Sequence, residues 1–163
     1  MRRLPWTPIA TIALSVVVVG LIVATAWLGV LTLQKKDDAD QRAKALQTAR
    51  QMGVNLLTLD NKTAQRDIDR IVAGTTGDLK NTLGSQTKSL LDQLAKTGAK
   101  STVSEVDAAV VSIDGDSAEV MVSLNGTVTN AKVKEGAPRA YRYLMDLTRV
   151  GDRWLVSNLE VVP

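Results

Sequence analysis

From Ile9 to Leu33 the chain runs for 25 residues without a charged side chain. Uninterrupted apolar runs of more than about 18 residues read as membrane-crossing helices. At about 1.5 Å per residue this one exceeds a hydrocarbon core of about 30 Å, so it spans with some tilt. Trp6 and Trp27 are separated along such a helix by about 32 Å, which suits indole rings anchored at the two interfaces. A cleaved signal peptide is the competing reading, since Arg2 and Arg3 precede the run and Ala24-Thr25-Ala26 resembles a cleavage site. Trp27-Leu28-Gly29-Val30-Leu31 continues the apolar run where a mature N-terminus turns polar, so we read a retained anchor. Gly20 with Ala24, and Thr25 with Gly29, are small-residue pairs through which two such helices can approach closely as a homo-oligomer.

A raw count of flanking charge, with Lys35, Lys36, Arg42, Lys44 and Arg50 after the run, puts the C-terminus inside. Long domains translocate largely regardless of charge, and the eight-residue tail is the part most easily held back. The expectation is therefore a single-pass protein of the cell membrane, with its N-terminus cytoplasmic and its C-terminal domain outside. Four segments follow: a short tail (1–8), the transmembrane helix (9–33), a connecting helix (34–59) and one α+β domain (60–163).

Periodicity supplies the elements of the outer part. Ala39, Ala43, Leu46, Ala49, Gly53 and Leu56 or Leu57 recur at steps of three and four, predicting a helix over Asp37 to Leu59 with a small-residue stripe. Ala64, Ile68, Ile71 and Val72 predict a short second helix ending before Gly74. Leu79, Leu83, Leu90, Leu91 and Leu94 predict a third, with Thr87 on the same face, stopping at Gly98. The period then falls to two. Ala109, Val111 and Ile113 are expected on one face of a strand, and Ala118, Val120, Val122 and Leu124 on its return, across a turn centred on Asp114-Gly115 or Gly115-Asp116. After a loop at Lys134 to Pro138, Tyr141, Tyr143, Met145 and Leu147 alternate along a third strand, and Gly151-Asp152 closes a second hairpin. A two-residue turn there sets Leu147 opposite Val156 and Arg149 opposite Trp154. Helices followed by antiparallel strands, without βαβ alternation, predict helices packed on a curved antiparallel sheet.

The chemistry is narrow. With no His and no Cys, imidazole bases, thiolate nucleophiles, disulfides and thiolate zinc sites are excluded. Nucleic-acid binding is not expected. The net charge of +3 is spread as Arg2 and Arg3 ahead of the apolar run, 12 basic and 8 acidic residues over 34–100 and 6 against 9 over 101–163, and Phe is absent. A metal would need a carboxylate cluster, and the candidates, Asp37, Asp38 and Asp40 or Asp114 and Asp116, are explained by a solvated face and by turn chemistry. Gly74-Thr75-Thr76-Gly77 lacks the Lys of a phosphate loop. An acid–base site would need Asp107 or Asp146 to join Tyr141 and Tyr143, but alternation puts Asp146 on the opposite face. Tyr141, Tyr143, Met145 and Trp154 therefore form either an apolar pocket or a core face. No catalytic residue, metal or cofactor is expected.

Four stretches carry a resemblance: Asn55-Leu56-Leu57-Thr58-Leu59-Asp60, Asp69-Arg70-Ile71 through Gly77-Asp78-Leu79, Asp114-Gly115-Asp116-Ser117-Ala118, and Arg149-Val150-Gly151-Asp152-Arg153-Trp154-Leu155-Val156. In this order after a single span, the chain resembles the Mce-associated membrane proteins of actinobacteria, whose outer domain is similar to the nuclear-transport-factor-2 (NTF2-like cone) and VirB8 folds. The resemblance implies a non-enzymatic accessory subunit that stabilises an Mce-type lipid or sterol import complex in the cell envelope. Its partners would be Mce-type substrate-binding proteins, other transporter subunits and membrane lipid. A lipid-binding module of the same system, a VirB8-like scaffold subunit of a secretion or conjugation apparatus, and an isomerase or dehydratase are the alternatives.

Overall fold

The computed structural model describes residues 37–163. The expected anchor at 9–33, with Trp6, Trp27 and the small-residue pairs, lies outside the described residues. Among the described residues no helix is long and apolar enough to cross a membrane.

Helix α1 occupies residues 37–57 and is rich in Ala, Gln, Leu and Lys/Arg, good helix formers. Its buried face is Ala45, Ala49, Met52, Gly53 and Leu57. The expected stripe therefore holds at Leu46, Ala49, Gly53 and Leu57 and fails at Ala39 and Ala43, which are exposed. The small residues are needed where α1 crosses the sheet: a Cβ on Gly53 would stand 3.0 Å from the Val122 side chain and 3.2 Å from that of Leu124. The helix also ends two residues earlier than periodicity suggested, because Leu59 and Asp60 are drawn into pairing with the sheet.

Helix α2 (Ala64–Ala73) and helix α3 (Gly77–Thr97) are flanked by backbone pairings to opposite sheet edges. Ahead of α2, Asp60 forms an antiparallel bridge with Lys100, and Ser101 N–H donates to the Leu59 carbonyl at 2.8 Å. Behind it, Thr75 forms a parallel bridge with Val156, Thr76 N–H donates to the Val156 carbonyl at 2.9 Å, and Val156 N–H donates to the Gly74 carbonyl at 3.0 Å. The turn before α2 is held by the buried carboxylate of Asp67. It accepts from the Thr63 hydroxyl at 2.6 Å and from the Asp60 N–H at 3.4 Å, with Arg70 3.4 Å away. Asp60 is held below the usual carboxylate range, first by the Lys62 N–H and then by Lys100. Helix α3 carries Asp78 in its first turn and Lys96 in its last, both favourable to the helix dipole, and stops at Gly98 in the left-handed conformation, φ 61°.

The remaining elements are β1 (Lys100–Asp114), β2 (Ser117–Thr129), β3 (Ala137–Val150) and β4 (Arg153–Val161), one antiparallel sheet in the order β1-β2-β3-β4. The first hairpin pairs Asp114 with Ser117, so Gly115-Asp116 is the two-residue turn. Gly115 sits at φ 55°, the conformation a type II′ turn requires at its first position. In the second hairpin Leu147 faces Val156 and Arg149 faces Trp154, as predicted. One strand departs from the expected parity. Register shifts between Val103 and Glu105 and between Val110 and Ser112 make Ser104 and Val111 the extra residues of two bulges. Val106, Ala108 and Val110 consequently turn toward the helices, while Ala109 and Val111 are exposed, Val111 at 56%. Each bulge reverses the alternation and bends the strand.

The core lies between the helices and one sheet face, with Val120, Val122, Leu124 and Met145 at 0% exposure. Two glycines test this arrangement. A Cβ on Gly126 would meet the Thr102 carbonyl oxygen and the Leu57 side chain at 2.8 Å, whereas one on Gly84 in α3 meets nothing. Gly126→Ala should cost about 1–3 kcal/mol by overpacking, and Gly84→Ala should add about 0.5–1 kcal/mol through helix propensity. Denaturant unfolding of both variants against the parent checks the opposite signs.

Candidate functional site

Strand alternation brings Tyr141, Tyr143, Met145 and Trp154 to one sheet face, as their spacing predicted. The register confirms it directly: Leu124, Val122 and Val120 of β2 face Tyr141, Tyr143 and Met145. The four do not form an open pocket together. Met145 is fully buried and Trp154 is 3% exposed, so these two belong to the core. Tyr141 and Tyr143 are half-buried and stack in parallel, ring centroids 6.1 Å apart and planes 6° from each other. Burial raises the Tyr143 phenol above its ordinary value, with a smaller push from Tyr141.

No acid joins them. Asp107 pairs with Ser123 in the register, placing it on the face away from the tyrosines. Asp146 is on that face too, where its carboxylate accepts from Asn158 at 3.1 Å. Asp116 is engaged by Arg149, whose Nη2 lies 2.6 Å from it. Asp37, Asp38 and Asp40 are exposed on α1. Among the described residues no three acidic side chains are grouped to hold a metal ion.

Two clefts were not foreseen from the sequence. The first, about 550 Å³, is lined by the buried Trp154 and Met52 and by polar residues that include Lys44, Gln51, Asn55, Arg70, Asp152 and Arg153. Its one well-buried polar side chain, Asn55, already accepts from Gln51 at 3.1 Å. The second, about 340 Å³, is lined by aliphatic residues at the end of α1, along α2 and along α3. The leucines of α3 were visible as a stripe. That the stripe stays half-exposed was not, because periodicity identifies an apolar face without saying how fully its partner covers it.

A helix-covered four-stranded meander of this kind is the NTF2-like and VirB8-like α+β architecture, and solved structures bear that out. The chain is similar to an IcmL-like type IV secretion system protein from Legionella pneumophila (TM-score 0.57, 13% identity, 75% of this chain and 92% of that one). It is similar to CagV, a VirB8 homologue of Helicobacter pylori (TM-score 0.55, 6% identity, 74% and 97%), and to an Ntf2-like protein involved in plasmid conjugation (TM-score 0.53, 13% identity, 74% and 48%). At such identities the likeness is one of fold.

Family membership comes from sequence: residues 7–163 match the model of the Rv1363c/MT1408-like uncharacterized proteins, and the chain belongs to that family. The uncharacterized protein Rv1363c of Mycobacterium tuberculosis is 29% identical over 99% of this chain. The chain spans 62% of that relative's length.

The tyrosine pair offers a direct test, since the chain has two tyrosines. In Tyr141→Phe the remaining phenol should still ionise above 10.0, because burial is the leading cause of its shift. A folded-state pKa raised above the unfolded one means stability is retained below about pH 10 and lost as pH rises through the folded value. Ultraviolet titration of that variant reads the ionisation, and an unshifted phenol would contradict the burial seen for Tyr143.

Proposed function

We propose that this chain is a non-enzymatic, membrane-anchored accessory subunit whose outer domain docks on the substrate-binding proteins of an Mce-type lipid or sterol import complex. The observation that carries the reading is the filled helix-facing side of the sheet. Val120, Val122, Leu124 and Met145 close it at 0% exposure, and the acids Asp107 and Asp146 face the other way. With His and Cys absent from the whole chain, general acid–base or nucleophilic chemistry would have to come from groups that do not converge. The uncharged run from Ile9 to Leu33 supports an anchor, with the domain on the outer side of the cell membrane. The partner class comes from the resemblance of the four stretches named above to Mce-associated proteins.

A VirB8-like role in a secretion or conjugation apparatus is the second reading. It is favoured by the fold shared with the IcmL-like and VirB8-homologous proteins.

Affinity capture of the tagged full chain from gently solubilised native membranes separates the two. Mce-type proteins should be recovered in near-stoichiometric amount. Recovery of secretion or conjugation subunits instead would favour the second reading, and recovery of neither would sink both. A reporter active only in the cytoplasm, fused after Pro163, should be silent; activity there would overturn the orientation.

A further inference from the structure

Apolar surface left exposed in one concave patch marks an interaction or ligand site. The half-exposed groove of about 340 Å³ between α1, α2 and α3 is such a patch. Its walls include Leu56, Leu59, Ile68, Val72, Leu90 and Leu94, all aliphatic. Polar residues border it only as Gln93 and Thr97 of α3. The Thr97 hydroxyl is satisfied by the Gln93 carbonyl at 2.9 Å, and the Gln93 amide donates to Ser89 at 3.4 Å. Covering such aliphatic walls removes apolar surface from water, so an apolar occupant is favoured.

Shape selects among apolar occupants. Along α3 the lining runs from Leu83 to Thr97, a rise of about 21 Å over 14 residues. An α-helix with its side chains is about 10–12 Å across, so 21 Å of it would occupy roughly 1,700 Å³, about five times the 340 Å³ of the groove, and a partner helix is not enclosed there. An alkyl chain fits: one leaflet is half of a hydrocarbon core of about 30 Å, so its chains reach about 15 Å, inside the groove's length. The volume also falls in the range of about 300–1,000 Å³ typical of small-molecule sites.

We propose that the α1–α2–α3 groove binds one saturated alkyl chain of an amphiphile, its polar head left at the open side. This assignment stands on the groove alone and is independent of the docking partner proposed above.

The test uses the full chain reconstituted in phosphatidylcholine vesicles and palmitic acid carrying a photoactivatable diazirine near its methyl end. After illumination, mass spectrometry of peptides should place the label between Leu83 and Thr97. Excess unlabelled palmitate should reduce that label about tenfold, while any labelling of the Ile9 to Leu33 stretch, which as the anchor proposed above would sample bulk lipid, stays unchanged and serves as the internal control. Leu90→Trp, which fills the groove, should produce the same loss without competitor, with helix content checked by circular dichroism. Should that variant fail to fold, the competition on the parent chain decides alone. No label on α3, label there that palmitate does not displace, or saturable label confined to another segment would each overturn the proposal. None of these outcomes depends on whether Mce-type proteins are captured.

Discussion

The arrangement depends on two short backbone pairings at opposite edges of the sheet, Asp60 with Lys100 on β1 and Thr75 with Val156 on β4. Helix α2 is what lies between them. Three inter-strand gaps of about 4.8 Å make the four-stranded sheet about 14 Å wide, and a helix of ten residues rises about 15 Å. The length of α2 therefore matches the sheet it must cross. The same pairings cap stretches of both edge strands, which otherwise present unpaired N–H and C=O groups to any passing strand. Arg42 extends the protection of β1 by donating to the Val110 carbonyl at 3.4 Å.

Once α2 is fixed, α3 has to return from the β4 edge to the β1 edge. It is tied at both ends: Thr76 bonds Val156, and beyond its C-terminus the Asn61 N–H donates to the Ala99 carbonyl at 3.1 Å. With 21 residues it is about 31 Å long, twice the width it crosses, so its ends are pinned while its middle is not drawn tightly inward. That is why none of its residues is fully buried although Leu79, Leu83, Leu90, Leu91 and Leu94 share a face. The groove between the helices follows from this geometry and not from a defect in any one side chain.

Much of this could be read from the residues. Glycine turns marked both hairpins, and the alternation of Tyr141, Tyr143 and Met145 with the Arg149–Trp154 pairing placed the four candidate side chains on one face. What could not be read were the features created by contact. The bulges at Ser104 and Val111 leave no mark in a two-residue period until the partner strand is present. Ala108 and Val110 then take the core positions that alternation had assigned to Ala109 and Val111, while Ile113 keeps the one it was assigned. On α1 the exposed Ala39 and the buried Ala45 are chemically the same residue, and only the sheet decides between them. Trp154 illustrates the limit for the site itself: its face was predictable, but whether that face was a pocket or a core depended on how closely α1 approached, and Gly53 sets that distance.

A domain tied at its edges and loose along α3 divides labour between its parts. The sheet and the buried face of α1 enclose a core in which Val122, Leu124 and Met145 leave little room for rearrangement. The helical side retains apolar surface that folding alone does not use. A ligand binding there stabilises the folded state in proportion to RT ln(1 + [L]/Kd), and its contacts fall on the element with the least burial of its own. Since α3 also exposes Lys80, Lys88, Lys96, Asp78 and Asp92 on its outer side, a chain held beneath it would order that charged surface through the one helix that packing leaves least buried.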